Sequence, residues 1–193
     1  MKKYTLTLLL IVGYYVVFAQ QDTLHKNRKT YFGIGFSLGT GGDQGGYSDA
    51  YFYLQRESTY VALKSSGVSQ FDFFGDEPIP ILSDAGIIIG KSYMLNKSVS
   101  IQFGCGIAYT EQISKGAFLY NTCMGFFCIF GHNVYETITT RSIGFPIEAR
   151  TNLLLGSASA LTIGLNGNLN KEPFYGLSVG FVFGRLRDRV KKH

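Results

Sequence analysis

Hydrophobic and polar positions alternate along most of this chain with a period of two. From Thr30 to Gly39, Phe32, Ile34, Phe36 and Leu38 share one face, and Gly33, Gly35, Ser37 and Gly39 share the other. That period is the mark of a β-strand, whose successive side chains point to opposite sides. The pattern returns between Ser98 and Gln112, where Val99, Ile101, Phe103, Cys105, Ile107 and Tyr109 oppose Ser100, Gln102, Gly104, Gly106, Ala108 and Thr110. It returns again between Ser142 and Leu153, between Leu161 and Asn170, and between Tyr175 and Phe183. Ala85 to Met94 is a further strand with apolar residues on both faces.

Six strands are therefore expected, at 30–39, 84–94, 98–112, 138–154, 160–170 and 174–184. The stretch 50–75 should hold two more, with Tyr51–Gln55, Thr59–Lys64 and Val68–Phe74 as candidates whose pairing the pattern leaves open. Met94–Lys97 and Gly156–Ser159 read as tight turns, and Ile113 to Thr137 as a long connection. Short turns at one end and long loops at the other suit a membrane barrel. The predicted fold is an all-β, up-and-down antiparallel transmembrane barrel, with eight strands spanning 30–184.

The second face decides between barrel types. A soluble sandwich or barrel carries charges on its solvent side. Here that face offers glycine, serine and asparagine, which suit a narrow lumen with apolar residues turned toward lipid. Composition points the same way: 46% of residues are hydrophobic and 15% aromatic, and only 16% are charged, below the usual quarter. The formal charge of +5 is mild, and no basic patch with interleaved stacking residues occurs, so nucleic acid is not an expected partner.

The first residues read as a secretion signal. Met1-Lys2-Lys3 is basic, Leu6 to Phe18 is apolar, and Val17-Phe18-Ala19 offers a small-residue cleavage site after Ala19. The apolar run of about 13 residues falls short of the roughly 20 that a spanning helix needs. No cysteine stands near the site to accept a lipid. The expected organisation is a cleaved signal at 1–19, a polar segment at 20–29, the barrel at 30–184 and a basic periplasmic tail at 185–193. Sec secretion to a bacterial outer membrane follows from that reading.

The repeated alternation, the signal pattern and the closing run Tyr175-Gly176-Leu177-Ser178-Val179-Gly180-Phe181-Val182-Phe183 resemble the small outer-membrane barrels of the OmpA/OmpX kind, in particular the porin-family barrels of Bacteroidota. The Phe18-Ala19-Gln20-Gln21 junction also resembles signal peptides of that phylum. The resemblance implies an integral outer-membrane protein, in contact with membrane lipid, with a structural or adhesive role or a place beside a larger envelope complex. Members often finish on an aromatic residue; here Phe183 is followed by Gly184 to His193.

Candidate chemistry is sparse. Glu148 and Arg150 fall two apart on the lumen face, with Asn152, Gln102 and Asn166 on the same side of their strands. Together they are expected to form a polar network, because charges in a narrow dry barrel need partners. Cys123 and Cys128 lie in the predicted outer segment of an oxidising compartment, so a disulfide between them is open, with Cys105 left as a lone thiol. His25, His132 and His193 are scattered, and no metal site or cofactor is expected. The tip around Met124, Phe126, Phe127 and Phe130 is apolar and either meets a partner, such as a protein or lipopolysaccharide, or folds back over the barrel mouth. Gly39–Gly46 lacks the Gly-Lys-Ser/Thr ending of a phosphate loop and reads as a flexible connection.

Two alternatives stay open at this point. A lipocalin-like secreted barrel would turn the same apolar faces inward around a ligand. A lipid A-modifying barrel enzyme would need a serine, a base and an orienting group together. No Gly-x-Ser-x-Gly elbow is present, so catalysis is not expected. With eight strands the interior is just wide enough for side chains, and bulk transport is not expected either.

Overall fold

A computed structural model describes residues 30–41, 45–70, 76–122 and 132–187. The chain forms eight strands in sequence order: β1 Thr30–Thr40, β2 Gly46–Arg56, β3 Thr59–Ser69, β4 Ile81–Met94, β5 Val99–Asn121, β6 Asn133–Leu154, β7 Ser159–Leu169 and β8 Phe174–Arg185. Each pairs antiparallel with the next, and β8 pairs with β1, so the sheet closes into an up-and-down barrel. Closure leaves no edge strand around the body, because each backbone ladder finds a neighbour on both sides. Among the described residues no helix is long and apolar enough to cross a membrane.

The faces follow the alternation. Phe32, Ile34, Phe36 and Leu38 on β1 point out, as do Phe103, Ile107 and Tyr109 on β5, Ile143, Phe145 and Ile147 on β6, Ile163 and Leu165 on β7, and Leu177, Val179, Phe181 and Phe183 on β8. Ile34 is 61% exposed and Leu38 69%, large values for apolar side chains in ordered strands. Their inward neighbours, Ser37, Gln102, Thr110, Glu148, Asn166 and Ser178, are buried. Tyr93, Tyr109 and Tyr175 are all outward and exposed; Tyr93 and Tyr175 stand at strand ends, whereas Tyr109 is at mid-strand because β5 runs on to Asn121.

Where the structure departs from the sequence reading, loop chemistry is the reason. The segment 113–137, read as a connection, is mostly strand: β5 runs on to Asn121 and β6 begins at Asn133. The threonines, Tyr135 and Ile138 there are strand formers without a glycine or proline cluster to stop them. Between β2 and β3 the chain reverses at Glu57–Ser58, with Glu57 in the left-handed region at φ 56°. Tyr51–Gln55 and Thr59–Lys64 are thus the cores of two paired strands. Of the candidate Val68–Phe74, Val68 and Ser69 end β3, and 71–75 lie outside the described residues.

An eleven-residue strand such as β1 rises roughly 36 Å along its own axis. Tilted by about 45°, it covers about 25 Å of barrel height, the span of an apolar membrane belt. At 23 and 22 residues, β5 and β6 are twice as long and project past the rim as a two-stranded ribbon. The rim with the short turns, β2–β3, β4–β5 and β6–β7, also holds the start of β1 and the end of β8. It is called here the turn end, and the opposite rim the loop end.

Candidate functional site

The lumen is packed in layers. At the turn end Tyr51, Tyr53, Tyr60, Ala62, Ile88, Leu154, Ala160 and Val182 form one buried cluster, and Leu186, just past β8, packs against it. At the loop end Tyr47, Val68, Leu82 and Phe174 form a second. Tyrosines fit because the facing inward residues are glycines. A Cβ on Gly35 would strike the Tyr51 ring, and one on Gly176 the Tyr47 ring. Bulky ring against bare backbone fills a narrow cylinder without a void.

The charged cluster sits in the wall of this lumen. Glu148 on β6 is its hub. Its Oε2 meets Lys64 Nζ of β3 at 3.2 Å and the Arg150 guanidinium at 2.9 Å. Its Oε1 accepts from the Tyr60 hydroxyl at 2.9 Å. Lys64 also donates to Asn166 Oδ1 of β7 at 2.5 Å, and Asn166 Nδ2 donates to the Ser178 hydroxyl at 3.3 Å. Arg150 lies over the Tyr51 ring, 3.4 Å from its centroid, and reaches Asp49 of β2 at 3.9 Å. Asp49 accepts from the hydroxyls of Ser37 (2.5 Å) and Tyr47 (3.1 Å). Every strand except β4 and β5 contributes a group to this cluster, so it ties the barrel wall together across its width.

A second polar group centres on Asp84 of β4. It accepts from the backbone N–H (3.1 Å) and hydroxyl (2.5 Å) of Ser66, and from Asn168 Nδ2 at 2.5 Å. Asn168 Nδ2 also donates to Thr110 Oγ1 at 3.3 Å, while Asn168 Oδ1 has no partner. Asp84 is held by neutral donors alone among the described residues. The described lumen thus holds the carboxylates Asp49, Asp84 and Glu148 against the cations Lys64 and Arg150.

Of the residues singled out from sequence, Glu148, Arg150 and Asn166 come together around Lys64. Asn152 lies one step toward the turn end, where its Nδ2 donates to Ser100 Oγ at 3.4 Å. Gln102 is buried and stands opposite Arg150 in the β5–β6 register. Cys123 and Cys128, and the tip residues Met124, Phe126, Phe127 and Phe130, lie outside the described residues. Cys105 is a free, outward thiol. Sequence reasoning missed Asp49, Lys64 and the lumen tyrosines because the pairing in 50–75 was open. The signal was there: Tyr47, Asp49, Tyr51 and Tyr53 alternate with Ser48, Ala50, Phe52 and Leu54.

Both rims carry a further closure. At the loop end the segment before β4 lies along the ribbon. Glu77 pairs with Val134 of β6 in a parallel bridge, and Asp76 accepts from the Asn133 backbone (3.2 Å) and side chain (3.0 Å) and faces Lys115 at 3.6 Å. Desolvation works to raise the Asp76 pKa, but the two Asn133 bonds and Lys115 together outweigh it and hold the carboxyl below its ordinary value. His132 stands 3.6 Å from Glu77. At the turn end Arg187 donates to the carbonyl of Lys97, linking the end of β8 to the β4–β5 turn. Among the described residues no group of three or more His, Cys, Asp or Glu side chains is placed to hold a metal.

No family model matches the sequence, and no curated protein matches it. Solved structures do match. Neisserial surface protein A superposes with a TM-score of 0.56 at 11% identity, over 82% of this chain and 99% of that one. The N-terminal β-barrel domain of Pseudomonas aeruginosa OprF gives 0.56 at 8%, with the same coverage. Ail, the attachment invasion locus protein of Yersinia pestis, crystallised with the heparin analogue sucrose octasulfate, gives 0.52 at 10%, again over 82% and 99%. At such identities the likeness carries the architecture alone: the chain has the fold of these small barrels.

Proposed function

We propose that this protein is an integral outer-membrane barrel with a filled lumen, and that its work is structural or surface contact rather than transport. The observation that carries this reading is the outward belt of exposed Phe, Ile, Leu and Val on a closed, polar-lined barrel. In water such a belt would be an aggregation surface; in a bilayer it is the lipid face, and closure gives each strand's backbone a partner strand on both sides. The likeness to a surface protein, to an attachment protein and to the OprF barrel domain supports the same location. In this reading residues 1–19 are the cleaved signal, the turn end is periplasmic, and the ribbon of β5 and β6 stands outside.

Tyrosine layers, Leu186 and the ion cluster pack the described lumen, which supports a role without bulk flux. The projecting ribbon exposes Phe118, Leu119 and Tyr120, a surface suited to contact with a neighbouring protein or the envelope. The polyanion seen with Ail does not suit this loop end. There Asp76, Glu77, Glu111, Glu136 and Glu172 outnumber Lys115, Arg141 and Lys171 among the described residues.

The test is folding from urea into phospholipid vesicles, read by heat-modifiable gel migration and by thiol labelling at Cys105 in a Cys123→Ser/Cys128→Ser background. The expected result is a compact band whose Cys105 reacts with a lipid-soluble maleimide and resists a water-soluble one. A chain that stays monomeric without detergent, with Cys105 open to the water-soluble reagent, refutes the reading.

A further inference from the structure

The two rims of the barrel carry opposite charge. Among the described residues, the turn end presents Arg56, Lys91, Lys97, Arg185 and Arg187 against Glu57. Register places these around one rim: Arg56 faces Thr59, Thr59 faces Lys91, and Arg185 faces Phe32. The loop end is on balance acidic, as described above. In the sequence, the segments that continue from the turn end carry a basic excess as well, with Lys26, Arg28 and Lys29 against Asp22 in 20–29 and Arg189, Lys191 and Lys192 against Asp188 in 188–193.

A second observation comes from the turns themselves. Met94 at the end of β4, Leu95 in the β4–β5 turn and Leu155 in the β6–β7 turn are exposed; Leu95 is 63% and Leu155 69% accessible. Turns that meet only water favour small polar residues. Here the apolar belt runs on past the strand ends and stops beside Lys97. Apolar side chains below and cationic heads above is the arrangement of groups at a lipid–water boundary.

We propose that the turn end is a basic collar that docks the phosphate headgroups of anionic phospholipids in the leaflet on that side. The inference rests on the membrane reading above and adds a lipid preference to it. Exposed Arg56 and Lys97 are its point contacts, Arg187 braces the Lys97 turn through the carbonyl bond, and Met94, Leu95 and Leu155 seat the turns among the glycerol and upper acyl carbons. Lipids of the acidic loop-end leaflet gain nothing comparable, so the barrel is electrically polarised across the bilayer.

The test uses the full chain without residues 1–19, refolded into nanodiscs of phosphatidylcholine with a minor fraction of phosphatidylglycerol. Lipids that stay bound on extraction are counted by native mass spectrometry. The parent should retain phosphatidylglycerol over phosphatidylcholine. The preference should fall about fivefold for each cation removed in Arg56→Gln and Lys97→Gln, the size expected of one basic residue at an anionic surface. It should also weaken as salt is raised. Lys171→Gln, at the loop end, should leave it unchanged. Equal retention of both lipids by the parent overturns the collar, as does a preference that survives in the Arg56→Gln/Lys97→Gln variant. A chain that enters neither this disc nor one of phosphatidylcholine alone overturns the membrane reading and the collar with it.

Discussion

Replacing Glu148 by Gln should be among the most damaging single changes in the lumen. The side chain is nearly inaccessible, and two cations depend on it: Lys64 at 3.2 Å and Arg150 at 2.9 Å. Their side chains are only 4% and 3% exposed, so neither can turn to water. Arg150 keeps the Tyr51 ring and a long approach to Asp49 at 3.9 Å. Lys64 keeps only the Asn166 carbonyl oxygen. Breaking a buried pair by removing one partner typically costs about 3–5 kcal/mol, because a charge is left without compensation. At this chain length each kcal/mol moves a melting midpoint by roughly 2–4 °C, so the expected drop is on the order of 10 °C. Gln retains the volume and an acceptor for Tyr60, which isolates the charge from packing. The assay is the temperature at which the compact gel band is lost in detergent, with urea unfolding in vesicles as a second measure. A Lys64→Met/Glu148→Gln double variant should recover only the share of the loss owed to Lys64, since it removes that cation with its partner and leaves Arg150 to the Tyr51 ring and Asp49. If Glu148→Gln stays within about 1 kcal/mol of the parent, the buried-charge reasoning is refuted.

Asp84→Asn, by contrast, should change stability by less than about 1 kcal/mol. Asp84 is held by neutral donors, and the Asn168 amide can flip to offer its unpartnered Oδ1 to the new NH2 group; a loss as large as that of Glu148→Gln would contradict this. Gly176→Ala should destabilise by about 1–3 kcal/mol through overpacking against the Tyr47 ring. Tyr47→Ala in the same chain should relieve that clash, so the double-mutant cycle should show coupling, and strict additivity would refute the contact. The clasp of Asp76 on the ribbon should depend on pH. Its folded-state pKa is depressed, so the stabilisation is full above the ordinary carboxylate value and is lost as pH falls through the lower folded one. Protection from hydrogen exchange at Asn133 and Tyr135, taken relative to the intrinsic rate at each pH, should fall over that acidic window in the parent, and Asp76→Asn should show the low protection already at neutral pH.

Much of the architecture was legible because strand periodicity is local. Each of Phe32–Leu38, Val99–Tyr109 and Tyr175–Phe183 declares its two faces without reference to the rest of the chain, and in each it is the apolar face that turns outward from the closed barrel. The closing run and the short turns fixed an even, up-and-down order. Less was legible where both faces carry bulky or mixed residues. In 46–69 the inward positions are Tyr47, Tyr51, Tyr53 and Tyr60 with Asp49 and Lys64 among them, so hydrophobicity alone does not separate inside from outside. The ribbon was mistaken for a loop because its alternation fades once both faces meet the surroundings, while its backbone pairing persists.

By itself, then, the order of residues determined strand positions, facing and the barrel class, since these depend on neighbours two apart. It also placed Glu148 and Arg150 on one lumen face. Only the closed tertiary structure decided their partners. Lys64 is 84 residues from Glu148 along the chain, and Asn168 reaches Asp84 over the same separation. Such contacts are set by barrel closure and stagger, which bring strands far apart in sequence to one level of the lumen. No pattern of adjacent residues contains that information, because which charges meet depends on the register of every intervening strand.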